Sequence, residues 1–204
     1  MVYISKVYTK FGDDGQTMLA NGDTTAKDTQ RVRSYGEVDE LNATVGLLRL
    51  EAERMLAAAG DAPAEPSIFA AKLNTELERI QQELFDLGAE LAHPGAADGE
   101  GTLRIEEASI SRLETELDAH NEALPPLRSF ILPGGGAVGV TAHLCRTVCR
   151  RAEREAVSLR QQEPVRGEAL RYLNRLSDYF FVVARAGAHA LGLEETLWNP
   201  ARNR

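Results

Sequence analysis

Arginine recurs every four positions in one stretch of the chain, at Arg146, Arg150 and Arg154. Residues four apart lie above one another on a helix, so the three guanidinium groups would form one stripe of positive charge. Like charges at this spacing repel one another. A guanidinium group binds two oxygens of a carboxylate or a phosphate, so either acidic partners or a bound polyphosphate would offset the repulsion. A solvated helix face with glutamate neighbours is the alternative, and the spacing does not decide between them.

A second candidate anion site lies near the N-terminus, in residues 9–17 (TKFGDDGQT). Its two glycines, Gly12 and Gly15, allow backbone N–H groups to converge on an anion. Lys10 would add positive charge, and the two threonine hydroxyls would donate to phosphate oxygens. The GxxxxGK[ST] spacing of a P-loop is absent. A turn that only redirects the chain is the alternative interpretation.

Other polar and aromatic positions have two interpretations each. The run Pro133–Gly136 either exposes N–H groups to an anion at a helix start or forms a tight connection, which is the commoner use. Phe130, just before it, is by default a core residue. Asn174 and Asp178 are four apart, and they are either hydrogen-bonded in the bundle or exposed at its surface.

The composition disfavours several classes of function. The formal net charge of −8 argues against a general nucleic-acid binder. No apolar run approaches the roughly 20 residues that span a bilayer, and the N-terminus lacks a signal-peptide apolar region, so we expect a cytoplasmic protein. The four histidines have no zinc or di-iron spacing, and we expect no metal site made of protein residues alone. Cys145 and Cys149 are predicted to be buried thiols.

Helices must position these residues, because apolar residues recur at steps of three and four through most of the chain. The predicted helices begin at about residue 30 and then cover about 69–91, 105–121, 138–162 and 165–191. On the fourth helix the residues predicted to face inward are Val140, Leu144, Val148, Ala152 and Ala156. Residues 1–30 are predicted to form a long loop, and residues 61–66 are predicted to end the first helix. The sequence therefore predicts an all-α bundle with four or five helices.

Five motifs occur in a fixed order, namely YTKFGDDGQT (8–17), YGEVDELN (35–42), FILPGG (130–135), RTVCRRAER (146–154) and LNRLSDYFF (173–181). Together they closely resemble the helical-bundle type of ATP:cob(I)alamin adenosyltransferase, over about residues 6–191. That family transfers the 5′-deoxyadenosyl group of ATP to the cobalt of a reduced corrinoid and releases triphosphate. The resemblance implies ATP with Mg²⁺ and cob(I)alamin as substrates. It also implies one domain over 1–204, with an N-terminal ATP loop (1–30), a five-helix bundle with a four-helix up-and-down core (31–191) and a tail (192–204).

The resemblance also implies roles for individual residues. The ATP-binding residues would be Thr9, Lys10, Phe11, Gly12, Gly15, Gln16, Thr17, Met18, Lys27, Arg150, Arg151, Glu153, Arg154 and Asn174. Arg150 and Phe130 are the predicted catalytic residues. Phe130 and Phe181 would face the corrinoid and help keep axial ligands away from cobalt. Arg146 would form an ion pair with Asp39 across a subunit interface.

The predicted partners are further copies of the chain in a homotrimer with active sites between subunits, a flavoprotein reductase and a cobalamin-dependent enzyme. Neither nucleic acid nor a membrane is expected. Three features depart from the family pattern: Asp14 replaces a frequent basic residue, residues 61–66 resemble an insertion, and the tail around Trp198 matches poorly. Two other functions on the same scaffold are a triphosphatase that never meets a corrinoid and an ATP-responsive chaperone that delivers the cofactor.

Overall fold

Five α-helices make up most of the computed structural model, which describes residues 8–58, 64–99 and 103–200. They are α1 (Gln30–Ala58), α2 (Glu65–Ala92), α3 (Glu107–Asn121), α4 (Gly136–Arg160) and α5 (Gly167–Ala190). Two three-residue strands, β1 (Gln16–Met18) and β2 (Thr24–Ala26), form an antiparallel hairpin before α1. The helical class and the five helices are confirmed. The hairpin is a difference, because the sequence predicts only loops or turns in residues 1–30.

The core lies between α1, α2, α4 and α5, and α3 packs on the outside of this group against α5. Each core helix carries a line of apolar side chains at steps of three and four, which lets one face leave water. The fully buried members include Leu41, Leu48, Leu73, Leu77, Leu84, Leu173, Leu176 and Phe180. Burial of one such side chain contributes about 1.5–3 kcal/mol. These contacts hold α4 and α5, which bear the arginine stripe, Glu153 and Asn174, in fixed register.

The predicted inward face of α4 is partly wrong. Val140 and Leu144 are 50% and 47% exposed, whereas Val148, Ala152 and Ala156 are buried as predicted. The buried line of α4 runs instead through Val138, Ala142, Cys145, Cys149, Ala152, Ala156 and Leu159. The alanine and cysteine side chains of this line are small, so α4 can approach both α1 and α5 closely. The larger Val140 and Leu144 point away from the core.

The predicted break after the first helix coincides with the start of α2. Residues 61–63 of the predicted insertion lie outside the described residues, and Glu65 and Pro66 form the first turn of α2. Proline suits a first helical turn, because its missing N–H has no partner there in any case. No helix in the described part of the chain is long and apolar enough to cross a membrane.

Buried polar groups attach α3 to the core. The carboxylate of Glu76 in α2 accepts a hydrogen bond from the Tyr179 hydroxyl at 2.7 Å and lies 2.7 Å from Nε2 of His120. The Glu83 carboxylate in α2 accepts a hydrogen bond from the Tyr172 hydroxyl of α5 at 2.8 Å and forms an ion pair with Arg112 of α3 at 3.2 Å. Because each buried carboxylate has a donor from another helix, the polar groups are satisfied rather than stranded in the core.

Candidate active site

Arg150 and Arg154 project from α4 as exposed side chains one turn apart. Arg154 donates a hydrogen bond to the backbone carbonyl of Arg150 at 3.0 Å, and within the described residues no carboxylate forms an ion pair with either guanidinium group. Burial and, secondly, the charge of Arg150 lower the pKa of the partly buried Arg146. The stripe therefore carries positive charge that the described residues do not neutralise, as an anion-binding surface requires.

Arg151 has a different environment from the stripe. It lies one residue beyond Arg150, about 100° further round the helix. Its guanidinium group binds Glu37 at 2.5 Å and also binds Glu40, both on α1, and these hydrogen bonds raise the pKa of Arg151. The structure thus uses Arg151 to hold α4 against α1, and it does not bring Arg151 together with Arg150 and Arg154 as the predicted ATP-binding set requires.

Glu153 and Asn174 come together from neighbouring helices. The Asn174 side-chain amide in α5 donates to the Glu153 carboxylate in α4 at 3.0 Å. Asn174 is exposed, so of the two interpretations of this residue the surface position is correct. The pair lies beside the stripe, because Glu153 is three residues after Arg150 and directly precedes Arg154.

The N-terminal loop is closed by Lys27. The Lys27 ammonium group donates to the backbone carbonyl of Gly12 at 2.8 Å, and the Lys27 backbone N–H donates to the carbonyl of Gly15 at 2.9 Å. Gly15 has a φ of +80°, a left-handed conformation that favours glycine. The other predicted loop residues around these glycines are exposed or partly exposed, namely Thr9, Lys10, Phe11, Gln16, Thr17 and Met18.

The end of the loop is attached to the arginine-bearing part of α4. The Gln30 side chain donates to the backbone carbonyl of Glu155 at 3.0 Å and to its carboxylate at 2.7 Å. The Ser34 hydroxyl donates to the same carbonyl at 2.9 Å. Because Glu155 directly follows Arg154, these hydrogen bonds hold the end of the loop next to the arginine stripe. Within the described part of one chain, however, no hydrogen bond or ion pair joins residues 9–18 to Arg150 or Arg154.

Phe130 is not a core residue, because its side chain is 76% exposed. It lines an open groove of about 570 Å³ together with Phe181, the other residue predicted to face the corrinoid. Sequence reasoning missed a third aromatic residue of this groove, Trp198, whose ring centroid lies 6.2 Å from that of Phe130. Its status as the only tryptophan in the chain was the one available signal.

The glycine run after Phe130 forms a tight connection. Gly135 and Gly136 both have positive φ, at +87° and +74°, and α4 begins there. A β-carbon at Gly139, one turn into α4, would lie 2.3 Å from the carbonyl oxygen of Gly134. The close approach of these two backbone segments fixes the turn that connects the Phe130 segment to α4.

Asp39 and Arg146 do not meet within one chain. Asp39 is exposed on α1, and Arg146 on α4 directs its Nε towards Nδ1 of His143 at 3.4 Å. Neither residue has an ion-pair partner among the described residues, so their pairing across a subunit interface stays a prediction. No group of three or more His, Cys, Asp or Glu side chains in the described ranges is arranged to hold a metal ion.

These features define a helical-bundle protein with a cationic stripe and an adjacent aromatic groove. The chain belongs to the cobalamin adenosyltransferase family, whose model matches residues 7–187.

Individual relatives extend this likeness over nearly the whole chain. The chain is 44% identical over 180 residues to the corrinoid adenosyltransferase of Bacillus subtilis, covering 88% of this chain and 85% of that protein. It is 41% identical to the cobalamin adenosyltransferase of Cupriavidus metallidurans, covering 98% and 97%. A variant of the PduO-type ATP:corrinoid adenosyltransferase from Lactobacillus reuteri, solved in complex with cobalamin and ATP, superposes with a TM-score of 0.82 at 36% identity, covering 96% of this chain and 97% of that chain.

Proposed function

We propose that this transferase moves the 5′-deoxyadenosyl group of ATP to the cobalt of reduced cob(I)alamin, and that Arg150 and Arg154 hold the triphosphate leaving group. The observation that carries the proposal is the exposed pair of guanidinium groups without carboxylate partners in the described residues. Cations placed where negative charge develops stabilise the departing triphosphate. Mg²⁺ bound to the triphosphate oxygens would add to this effect.

The Lys27-closed loop is the proposed clamp on the phosphates of ATP. Lys10 would supply a cation and Gly12 a backbone N–H group. Gly15 would supply the left-handed turn of the loop, since its own N–H donates to the Gly12 carbonyl at 3.2 Å. Glu153 and Asn174 would complete the nucleotide site beside the stripe, since the two are already hydrogen-bonded to each other. Arg151 is the weakest member of the predicted set, because Glu37 and Glu40 bind it within the same chain.

We further propose a homotrimer in which the loop of one chain meets the stripe of the next. Two observations support a shared site: residues 9–18 make no hydrogen bond or ion pair with Arg150 or Arg154 in the described part of one chain, and α1 and α4 expose large apolar side chains. The exposed residues are Leu47, Leu50, Val140 and Leu144. Apolar side chains that cluster on a surface often mark a protein interface. An Asp39–Arg146 ion pair between subunits would offset the charge of the partly buried Arg146.

Phe130 and Phe181 would form the wall that faces the corrinoid. An apolar wall excludes water and the lower axial ligand, which favours four-coordinate Co(II) and makes its reduction easier, by about 59 mV for each factor of ten in the equilibrium. The transfer itself then requires in-line placement of cobalt and the C5′ atom of ATP. No protonation step is needed, so the mechanism requires no general base.

We also propose two macromolecular partners, a flavoprotein reductase that delivers the electron to cobalamin and a cobalamin-dependent enzyme that accepts the product. The proposed compartment is the cytoplasm.

A spectroscopic assay tests the proposal. The protein is mixed with ATP and chemically reduced cobalamin, and the absorption of alkylcobalamin is followed together with triphosphate release. We expect both products in equal amounts, and we expect Arg150→Ala to reduce the rate by about a hundredfold or more. The matched control is Arg160→Ala, which removes another exposed arginine from the last turn of α4.

Two results would contradict the proposed reaction, and a third would contradict the role of Arg150. Hydrolysis of ATP without alkylcobalamin would instead identify a triphosphatase. Saturable binding of ATP in a calorimeter, without any release of triphosphate in the presence of reduced cobalamin, would identify a chaperone. Full activity of Arg150→Ala would leave the reaction in place and overturn the assignment of the stripe.

A further inference from the structure

The C-terminal tail is attached to α5 by an ion pair whose arginine is buried. Arg185 in α5 is only 5% exposed, and its guanidinium group donates to both carboxylate oxygens of Glu195, at 2.7 and 3.2 Å. The same group donates to the backbone carbonyl of Pro125 at 2.8 Å. One side chain therefore binds the tail and the segment that leads to Phe130. A paired arginine with this bidentate geometry fixes both position and direction.

Beyond Glu195 the tail runs antiparallel to the segment that carries Phe130. The Leu132 N–H donates to the carbonyl of Thr196 at 2.8 Å, and the Trp198 N–H donates to the carbonyl of Phe130 at 2.7 Å. The Ser129 hydroxyl donates to the carbonyl of Trp198 at 3.0 Å. Phe130 is itself mostly exposed, so its own side chain makes little contribution to its position. The backbone hydrogen bonds from the tail supply that restraint.

We infer that the Arg185–Glu195 pair is a latch that positions Phe130 against the corrinoid through the paired tail segment. Arg185 and Glu195 are positioning residues in this arrangement, because they act on the groove through the backbone of residues 129–132. The inference rests on the proposed function insofar as Phe130 faces the corrinoid. The docking of the tail can be measured without any substrate.

The single tryptophan makes that measurement direct. Trp198 is the only tryptophan in the chain and lies in the latched segment, so fluorescence excited selectively at tryptophan reports tail docking. The test variant is Glu195→Ala, which breaks the latch from its partly exposed side. The matched control is Glu194→Ala, which removes the neighbouring carboxylate, a group without a hydrogen bond or ion pair among the described residues.

We expect Glu195→Ala to shift Trp198 emission to longer wavelength and to increase its quenching by acrylamide, whereas Glu194→Ala leaves both unchanged. We expect the Kd for cob(II)alamin, measured in the presence of ATP, and the KM for cob(I)alamin to rise between about tenfold and a hundredfold. The KM for ATP should change little. The four-coordinate Co(II) signal in electron paramagnetic resonance should decrease in protein whose helices circular dichroism shows to be intact.

Ser129→Ala provides a second variant that leaves the buried Arg185 paired. It removes a single exposed hydrogen bond to the tail, so we expect a smaller shift in the same direction. Circular dichroism establishes that the helices of each variant are intact.

An unchanged Trp198 emission in Glu195→Ala would overturn the latch. A released tail with an unchanged Kd for cob(II)alamin would show that the latch does not position Phe130. If the wild type made no alkylcobalamin, the proposed function would fail, whereas the fluorescence result would still decide whether the latch exists.

Discussion

The side-chain amide of Asn174 donates a hydrogen bond to the carboxylate of Glu153 at 3.0 Å, which joins α5 to α4 beside the arginine stripe. This bond directs one Glu153 oxygen towards α5. The neighbouring guanidinium groups of Arg150 and Arg154 form no ion pair with it within the described residues. The Asn174–Glu153 pair therefore places polar side chains next to the stripe but does not neutralise its positive charge.

Loss of this hydrogen bond should weaken ATP binding more than folding. We expect Asn174→Ala to raise the KM for ATP about tenfold, because Glu153 would turn towards Arg150 or Arg154 and compete with phosphate. The KM for cob(I)alamin should stay within about twofold. Asn121→Ala, which removes an exposed asparagine at the end of α3, is the control. An equal rise in both KM values for Asn174→Ala would instead indicate a general disturbance of the site.

The close approach of Gly139 to Gly134 predicts that a larger residue at position 139 destabilises the fold. A β-carbon at position 139 would lie 2.3 Å from the Gly134 carbonyl oxygen and 3.3 Å from that of Ala184, and both neighbours are backbone atoms. Gly139→Ala should therefore lower the free energy of unfolding by about 1–3 kcal/mol. It should also raise the KM for cob(I)alamin, because the displaced turn carries Phe130. Urea denaturation and steady-state kinetics measure the two effects.

Gly88 provides the comparison for this substitution. It lies in α2 with no atom within 4 Å of an added β-carbon. Gly88→Ala should raise the free energy of unfolding by up to about 1 kcal/mol, since alanine favours a helix more than glycine does. If Gly139→Ala were as stable as Gly88→Ala, the close contact at the start of α4 would not constrain the protein.

The helices could be predicted from the sequence because their signal is local. α2 repeats leucine and isoleucine at steps of three and four from Leu73 to Leu91, and the observed helix ends one residue later. The α4 face was harder to predict, because its buried line consists largely of alanine and cysteine, which add little to an apolar pattern. The hairpin was missed for a related reason: each strand has only three residues, and most of them are exposed.

Some residues of the candidate site could likewise be predicted from the sequence, whereas others are recognised only in the folded structure. Arg150, Arg154, Glu153 and Asn174 could be placed because spacing on two helices, together with the family motifs, brings them to one region. The latch of Arg185 and Glu195 depends on a folded tail, and no periodic pattern connects it with Phe130. Arg151 was assigned by its position in a motif, whereas its orientation towards Glu37 and Glu40 depends on the packing of α1 against α4.

The two cysteines should be unreactive in the folded protein. Burial raises the pKa of both thiols, for Cys149 well above its ordinary value with a further contribution from the charge of Glu153. The Sγ atoms donate to the carbonyls of Thr44 and Leu173 inside the core. A thiolate is the reactive form, so we expect no reaction with a thiol-specific chromogenic disulfide at pH 8 and two thiols per chain after unfolding in guanidinium. Rapid labelling of the native protein would show that the helices α4 and α5 open readily.

The Glu76 carboxylate predicts how stability depends on pH. Burial acts to raise its pKa, but the hydrogen bond and charge of His120, with the hydrogen bond from Tyr179, outweigh burial and hold the pKa below 4.5. A carboxyl group with a depressed folded-state pKa contributes stability above its unfolded pKa, and this contribution is lost as pH falls through the folded value. Glu76→Gln should therefore cost about 1–3 kcal/mol at neutral pH.

The difference between wild type and Glu76→Gln should shrink as the pH falls below about 4.5, because the wild-type carboxylate then takes up a proton. Glu90 and Glu116 have raised pKa values, chiefly through burial, and shift stability in the opposite sense. Comparing the two proteins at each pH removes the contribution of Glu90, which both proteins share. The contribution of Glu116 is removed only in part, since the charge of Glu76 helps to raise the pKa of Glu116. Chemical denaturation between about pH 3.5 and 7 measures the difference, with Glu122→Gln, an exposed carboxylate at the end of α3, as the control. A difference that stayed constant across this range would mean that Glu76 does not hold α3 to the core through its charge.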